Sequence, residues 1–261
     1  MNTFRDLHVP GTPLVMPNPW DAGSARMLAN LGARALASTS AGAAFAAGKQ
    51  DGDLTLDQMI DAARALADAT DVPVSADLEN GGGDSPEQAA HAMRAAAQAG
   101  LAGASIEDLG NDGIYAFDLA LARVKAAVDA AHDTGIVLTA RSEGLLTGTL
   151  TLAQVCDRIT AFAKAGADVV FAPGLKTAQD VQAVIHAAGD TPVSVLVGGN
   201  DPDMTVDRLA SLGVARISMG SGLARVAYGG MIAMMRGALD TGRFDYPDTT
   251  ARFADIETLL R

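Results

Sequence analysis

Eight apolar runs of strand length, each followed by a stretch of helical periodicity, constrain this chain more than any other feature. They are Leu14–Met16, Ala35–Ser38, Val72–Leu78, Ala102–Ile106, Ile136–Ala140, Val169–Ala172, Val193–Val197 and Ala215–Met219. Several are apolar at successive positions, as parallel strands buried on both faces are. Eight such units joined by short connections favour a closed (β/α)8 barrel over an open doubly wound sheet. The length of 261 residues agrees with the ~250 typical of one barrel.

The punctuation between the runs supports the same α/β reading. Gly32, Gly100, Gly135, Gly166 and Gly213 each precede a run by a few residues, where a left-handed residue ends a helix. Thr55 with Gln58, Ser85 with Gln88 and Thr151 with Gln154 have the spacing of capping boxes, and Pro86 follows Ser85 at the first helical position. No linker, charge block or low-complexity tract interrupts the chain, so residues 1–261 are expected to form a single TIM-type barrel domain. Residues 240–261 depart from the rhythm and are read as a C-terminal helical arm. Phe244, Tyr246 and Phe253 are three of the ten Phe and Tyr residues. Such an arm either covers the barrel or packs on a neighbouring subunit.

Charge narrows the partners. A formal net charge of −12 repels phosphate backbones and anionic lipids, which argues against nucleic acid and membrane surfaces. No apolar run reaches the ~18 residues of a membrane span. Cys156 is the one cysteine, so no intrachain disulfide forms. With no secretory leader at the start, the chain is expected to be cytoplasmic.

A barrel places its site at the C-terminal strand ends. The third run ends in Asp77-Leu78-Glu79, the fourth leads into Glu107-Asp108, and the fifth into Arg141-Ser142-Glu143. Strand alternation puts Asp77 and Glu79 on one side, with Leu78 facing away, and Glu107 joins them from the next strand. Three converging carboxylates repel one another unless a cation neutralises them. Mg2+ takes oxygen ligands and is the expected ion. Zn2+ is disfavoured because His8, His91, His132 and His186 lie away from the strand ends. Arg141 can grip a carboxylate bidentately, or instead brace the rim by pairing with Glu107 or Glu143. Ser40-Ala41-Gly42, after the second run, offers a hydroxyl and backbone N–H groups for a further carboxylate. Gly198-Gly199 and Gly220-Ser221-Gly222 lie where many barrels bind phosphate, a third option that rests on fold alone.

These segments, with Asn18-Pro19-Trp20-Asp21-Ala22-Gly23-Ser24-Ala25-Arg26, Asp51-Gly52 and Val74-Ser75-Ala76-Asp77-Leu78-Glu79-Asn80-Gly81, resemble the isocitrate lyase/phosphoenolpyruvate mutase superfamily over nearly the whole chain. The resemblance implies a barrel whose last helix is exchanged between subunits of a homo-oligomer, a dimer or tetramer. It also implies Mg2+ and a small 2-oxo acid or dicarboxylate ligand. Asp77 resembles the direct metal ligand. Asp51, Glu79 and Glu107 resemble the acids that hold water around it. Ser40, Ala41 and Gly42 resemble the substrate-carboxylate loop, and Arg141 the substrate-binding arginine. The chain lacks the Lys-Lys/Arg-Cys-Gly-His loop of the lyases. It also lacks the loop lysine and the strand-6 histidine of the phosphonate enzymes, reading Phe171-Ala172-Pro173-Gly174 at the latter place.

The expected activity is therefore Mg2+-dependent C–C cleavage or decarboxylation of a 2-oxo or 2-hydroxy acid through a metal-stabilised enolate. Arg141 and Glu107 are the catalytic candidates, and Tyr115 is the candidate proton donor or a hydrophobic cover. The alternatives are a C–P bond enzyme acting on phosphonopyruvate and a non-catalytic 2-oxo acid binding protein.

Overall fold

The computed structural model describes residues 3–202 and 204–261. In chain order the elements are β1 (Leu14–Val15), α1 (Ala22–Asn30), β2 (Leu36–Ala37), α2 (Ser40–Ala46), α3 (Leu56–Asp68), β3 (Val74–Asp77), α4 (Pro86–Gln98), β4 (Gly103–Glu107), β5 (Leu109–Gly110), β6 (Gly113–Ile114) and α5 (Phe117–Thr134). They continue as β7 (Val137–Arg141), α6 (Leu152–Lys164), β8 (Val169–Phe171), α7 (Ala178–Ala188), β9 (Val193–Leu196), α8 (Val206–Leu212), β10 (Arg216–Ser218), α9 (Gly222–Thr241) and α10 (Phe253–Leu260).

Eight strands, one within each apolar run, pair in parallel in the order β1-β10-β9-β8-β7-β4-β3-β2. The ring closes where the Ala37 N–H donates to the Pro17 carbonyl at 3.1 Å. The chain is thus the TIM barrel that its periodicity predicts. β5 and β6 form a separate antiparallel ribbon between β4 and α5. No helix among the described residues is long and apolar enough to cross a membrane.

Local sequence explains the helix limits. All three expected capping boxes form, and Gly32, Gly100, Gly135, Gly166 and Gly213 all take positive φ. Two more boxes use pairs the sequence did not advertise, Asp21 with Ser24 on α1 and Thr177 with Asp180 on α7. The segment after β2 differs from the loop that the resemblance implies for Ser40, Ala41 and Gly42: it is the helix α2, capped by Thr39. Alanine's helix propensity and the Thr39 cap are enough for seven residues, but leave no apolar stripe to read.

Two clusters make the core. The larger lies between barrel and helices. The smaller joins Phe4, Leu7, Leu14, Met16, Ala35, Val137 and Val169, and so fills the barrel's N-terminal mouth with the chain's own first residues. Gly103 admits Phe4, because a Cβ there would stand 2.9 Å from its ring and 2.7 Å from the Val137 carbonyl. At the other end of the sequence α9 runs through Thr241, so the arm proper starts later than residue 240. α10 lies against α1 of the same chain, and Asn30 Nδ2 donates to the Leu259 carbonyl at 2.8 Å. Phe244, Tyr246 and Phe253 remain exposed, as do Val226, Met231 and Leu239 of α9.

Candidate active site

The C-terminal strand ends enclose two connected spaces. An inner cavity of about 90 Å³ descends into the barrel, lined by Asp77, Ser105, Arg141, Phe171, Leu196 and Arg216 among others. A mouth of about 340 Å³ lies above the strand ends of β3, β4 and β7, lined by Ser40, Asp51, Glu79, Glu107, Arg141 and Glu143 among others. Arg141 and Leu146 line both. The Leu145–Leu146 turn fits closely over Gly174, where φ is +93° and a Cβ would lie 2.7 Å from the Leu146 nitrogen.

Arg141 stands at the end of β7 and is held by three carboxylates. Nη1 pairs with Asp77 Oδ1 at 2.5 Å, Nη2 with Glu107 Oε2 at 3.2 Å, and Nη2 and Nε with Glu143 Oε1, each at 2.9 Å. Its guanidinium also lies over the Phe171 ring, 5.3 Å from the centroid. Burial opposes its charge, but Glu143, Asp77 and Glu107 outweigh that and hold its pKa well above the ordinary arginine value. Both pairings expected from the sequence, Glu107 and Glu143, are made, and Asp77 is added.

Asp77 is occupied on both oxygens. Besides Arg141, Oδ1 accepts from Ser105 Oγ at 3.3 Å, and Oδ2 accepts from the Ser40 N–H at 3.2 Å. Glu79 reaches the mouth by a route that alternation did not predict. β3 stops at Asp77, and Glu79 adopts φ +50°, the one non-glycine positive φ among the described residues. A left-handed kink, rather than the pleat, therefore turns it toward the mouth, while its carbonyl still accepts from the Glu107 N–H at 3.0 Å. A strained backbone of this kind persists only where surrounding bonds fix it.

The mouth carries unrelieved negative charge. Burial, then Asp77 and Asp51, push the Glu79 carboxyl up to about 7. Burial and Asp77 also raise Asp51, which lies at the exposed edge with Oδ1 3.4 Å from Ser40 Oγ. Burial drives Glu107 well above the ordinary range despite Arg141, with Glu143, Asp77 and Glu79 adding to the rise. Glu143 is raised by burial too, with Arg141 opposing.

Two expectations change. Ser40, Ala41 and Gly42 do not present a free N–H cradle. Ser40 gives its N–H to Asp77, and Gly42 gives its own to Thr39 Oγ1 at 3.3 Å. Only Ser40 of the three lines the mouth. Tyr115 is 8% exposed, lines neither space, and donates its O–H to Asp84 Oδ1 at 2.6 Å. Its ring packs on Gly110 and under Arg123, the placement of a cover, with its hydroxyl turned to Asp84 rather than into either space. Cys156 is half-buried on α6 and lines neither space.

The sequence alone offered Glu143 only as a brace for Arg141 and did not single out Asp108 or Arg216. Asp108 is buried and fixes the rim by accepting from Ser142 Oγ, the Glu143 N–H and Arg158 Nη1 at 2.9, 2.8 and 3.0 Å. An acid directly following Glu107 at a strand end was the available signal. Arg216 sits inside an apolar strand run, where only its charge stands out.

No three His, Cys, Asp or Glu among the described residues form a ready-made metal cage. Mg2+ does not require one, since one or two carboxylates with water and substrate oxygens suffice. The donors at the mouth are all oxygen, and their raised pKa values mark negative charge that Arg141 alone does not balance. Residues of this kind fit Mg2+.

The chain matches the family model of phosphoenolpyruvate phosphomutase over residues 4–239. A solved structure from Burkholderia cenocepacia J2315, provisionally described as a lyase/mutase, is 42% identical, with a TM-score of 0.92 over 98% of this chain and 93% of that one. The 2-methylisocitrate lyase of Salmonella typhimurium is 30% identical over 81% of this chain and 75% of its own length. The oxaloacetate decarboxylase of Pseudomonas fluorescens is 27% identical over 84% and 78%.

Proposed function

The chain belongs to the phosphoenolpyruvate phosphomutase family, within the isocitrate lyase/phosphoenolpyruvate mutase superfamily, and from that premise we propose a Mg2+-dependent carbon–carbon lyase acting on a small 2-oxo or 2-hydroxy carboxylic acid. The observation that carries this reading is the cluster of Asp77, Glu79 and Glu107 with Arg141 at three successive strand ends, joined at the mouth by Asp51 from the turn before α3. Asp77 would hold the metal directly, and Asp51, Glu79 and Glu107 would hold it through water. Bound there, Mg2+ supplies Lewis-acid polarisation of the substrate's oxo and carboxylate oxygens.

The chain's own residues supply the rest. Arg141 exchanges part of its grip on the rim acids for the substrate carboxylate, a charge-assisted contact that fixes the bond to be broken. Ser40 adds a hydroxyl on the mouth side. Leu146 overhangs both spaces and excludes water from the inner one. Neither space is lined by Lys, His, Cys or Tyr among the described residues, so the product's proton has to come from a carboxyl or from water. A water held by Glu79 at the mouth is the suited donor. Decarboxylation asks least of such a site, because it needs no separate base to remove a hydroxyl proton. The missing lysine and histidine weigh against phosphonopyruvate.

Consumption of oxaloacetate with Mg2+, with EDTA as control and with 2-methylisocitrate and phosphonopyruvate run alongside, tests the proposal. Turnover of either of the first two supports it. Turnover of phosphonopyruvate alone replaces it with C–P chemistry, and tight binding without turnover of any replaces it with a binding protein. The exposed apolar side chains of α9 and the arm support a homo-oligomer, dimer or tetramer, built through them. Deleting everything after Gly242 should lower the molar mass in light scattering or cause aggregation. A monomeric parent at micromolar concentration would contradict this.

A further inference from the structure

Arg216 is the charged residue of the inner cavity that the proposed chemistry leaves unused. Barrel interiors are usually packed with branched apolar side chains. Here a buried layer beneath the rim instead holds Ser75, Ser105, Thr139, Ser194 and Arg216, the last 4% exposed. Arg216 Nε donates to Ser194 Oγ at 2.9 Å, and Nη1 to Thr139 Oγ1 at 3.0 Å. Nη2 has no hydrogen-bond partner among the described residues. It is not one of the fully buried orphan atoms either, and the residue lines the cavity, so Nη2 faces that space.

No carboxylate among the described residues is in contact with this guanidinium. Asp77, the acid that acts on it from a distance, is already occupied by Arg141, Ser105 and the Ser40 N–H. The other charges acting around it are like ones. Arg141 repels it, and His8 beneath is kept neutral, its pKa lowered by burial and by Arg216 to about 4. Burial and Arg141 bring Arg216 itself down to about 9, still cationic at neutral pH. A buried cation held only by neutral hydroxyls is an arrangement that an incoming anion relieves.

We propose that Arg216 is a second anion-binding residue of this site, taking the far carboxylate of a dicarboxylic ligand whose oxo- or hydroxy-acid end lies at Arg141 and the rim acids. This rests on the site assignment under Proposed function and adds a determinant of substrate choice. The cavity's roughly 90 Å³ equals about three water volumes, room for a carboxylate and one or two carbons. Orientation follows from charge. A tail pointing outward would meet Asp51, Glu79, Glu107 and Glu143, whereas one pointing inward leaves those acids behind and meets Arg216, with Asp77 already paired to Arg141.

Malate and lactate are stable 2-hydroxy acids that differ by one carboxylate, so calorimetry with each at fixed Mg2+ isolates its contribution. The parent should bind malate at least tenfold more tightly than lactate. Arg216→Gln should erase that preference while leaving lactate binding unchanged, and Arg216→Lys should keep part of it. Equal binding of the two acids by the parent overturns the proposal without any variant. So does a preference that survives in a folded Arg216→Gln protein. If Arg216→Gln does not fold, a full tenfold preference in Arg216→Lys stands against the guanidinium's role, and a reduced one supports it. Oxaloacetate turnover reports separately on the lyase assignment. A malate preference without turnover of oxaloacetate, 2-methylisocitrate or phosphonopyruvate sinks the lyase reading alone, turnover without a preference sinks this inference alone, and failure to bind either acid together with no turnover sinks both.

Discussion

The two halves of the barrel rim are built differently. β3, β4 and β7 end in Asp77, Glu107 and Arg141, tied to one another and to Glu143 by ion pairs of 2.5–3.2 Å. β8, β9 and the turns after β8 and β10 present Phe171, Leu196, Pro173 and Gly220 to the same cavity. Positions in the first half are fixed by charge-assisted bonds, with Asp108 locking them from behind through three donors. Positions in the second half are fixed mainly by packing and by neutral hydrogen bonds, as where the Gly220 N–H donates to Asn18 Oδ1 at 3.0 Å. Such a division suits a site that polarises a ligand from one side and shapes it from the other.

The sharpest way to break the contrast is Asp77→Ala. On the proposed function it should abolish Mg2+-dependent ligand binding in calorimetry, and parent-like binding would remove the metal assignment altogether. Arg141→Ala should cost about 2–4 kcal/mol in kcat/KM, a charged grip made in the transition state. Leu196→Ala, in the apolar half, should raise KM several-fold and leave kcat within about twofold, the pattern of lost uniform binding. If kcat falls as far as in Arg141→Ala, the halves do not divide the work.

The smallest expected effect concerns Glu79. Its folded pKa of about 7 lies above the ordinary value of 4.5, so the native state holds a proton the unfolded chain has lost between those two pH values. The metal-free protein should therefore lose stability as pH rises through that window. Glu79→Gln removes the penalty and should raise Tm above the parent at pH 8 while matching it at pH 5. The same change should weaken Mg2+-dependent binding without abolishing it. A variant less stable than the parent at pH 8 would show that Glu79 contributes a favourable charge, contrary to its crowded setting.

Local rules carried most of the fold. Glycines past helix ends and Thr or Ser caps act over four residues, so they were legible before any tertiary contact was known. The acidic half was legible for a related reason, since charged residues at the ends of apolar runs stand out. The left-handed turn at Glu79 was not, because it depends on how the strand end meets Glu107 rather than on residue type. The choice between donor and cover for Tyr115 was not legible because its partner, Asp84, is 31 positions away in sequence. Arg216 escaped because alternation along β10 gives no sign that a barrel interior would be polar.

The plug of Phe4, Leu7 and Leu14 gives the barrel a floor. Traffic through the inner cavity is then one-way in space: whatever enters past Leu146 must leave past it. On the proposed function, fragments of a cleaved ligand could not depart by opposite exits: the piece nearer the opening would go first, and the piece lodged deeper would be the one that competes with the next molecule in.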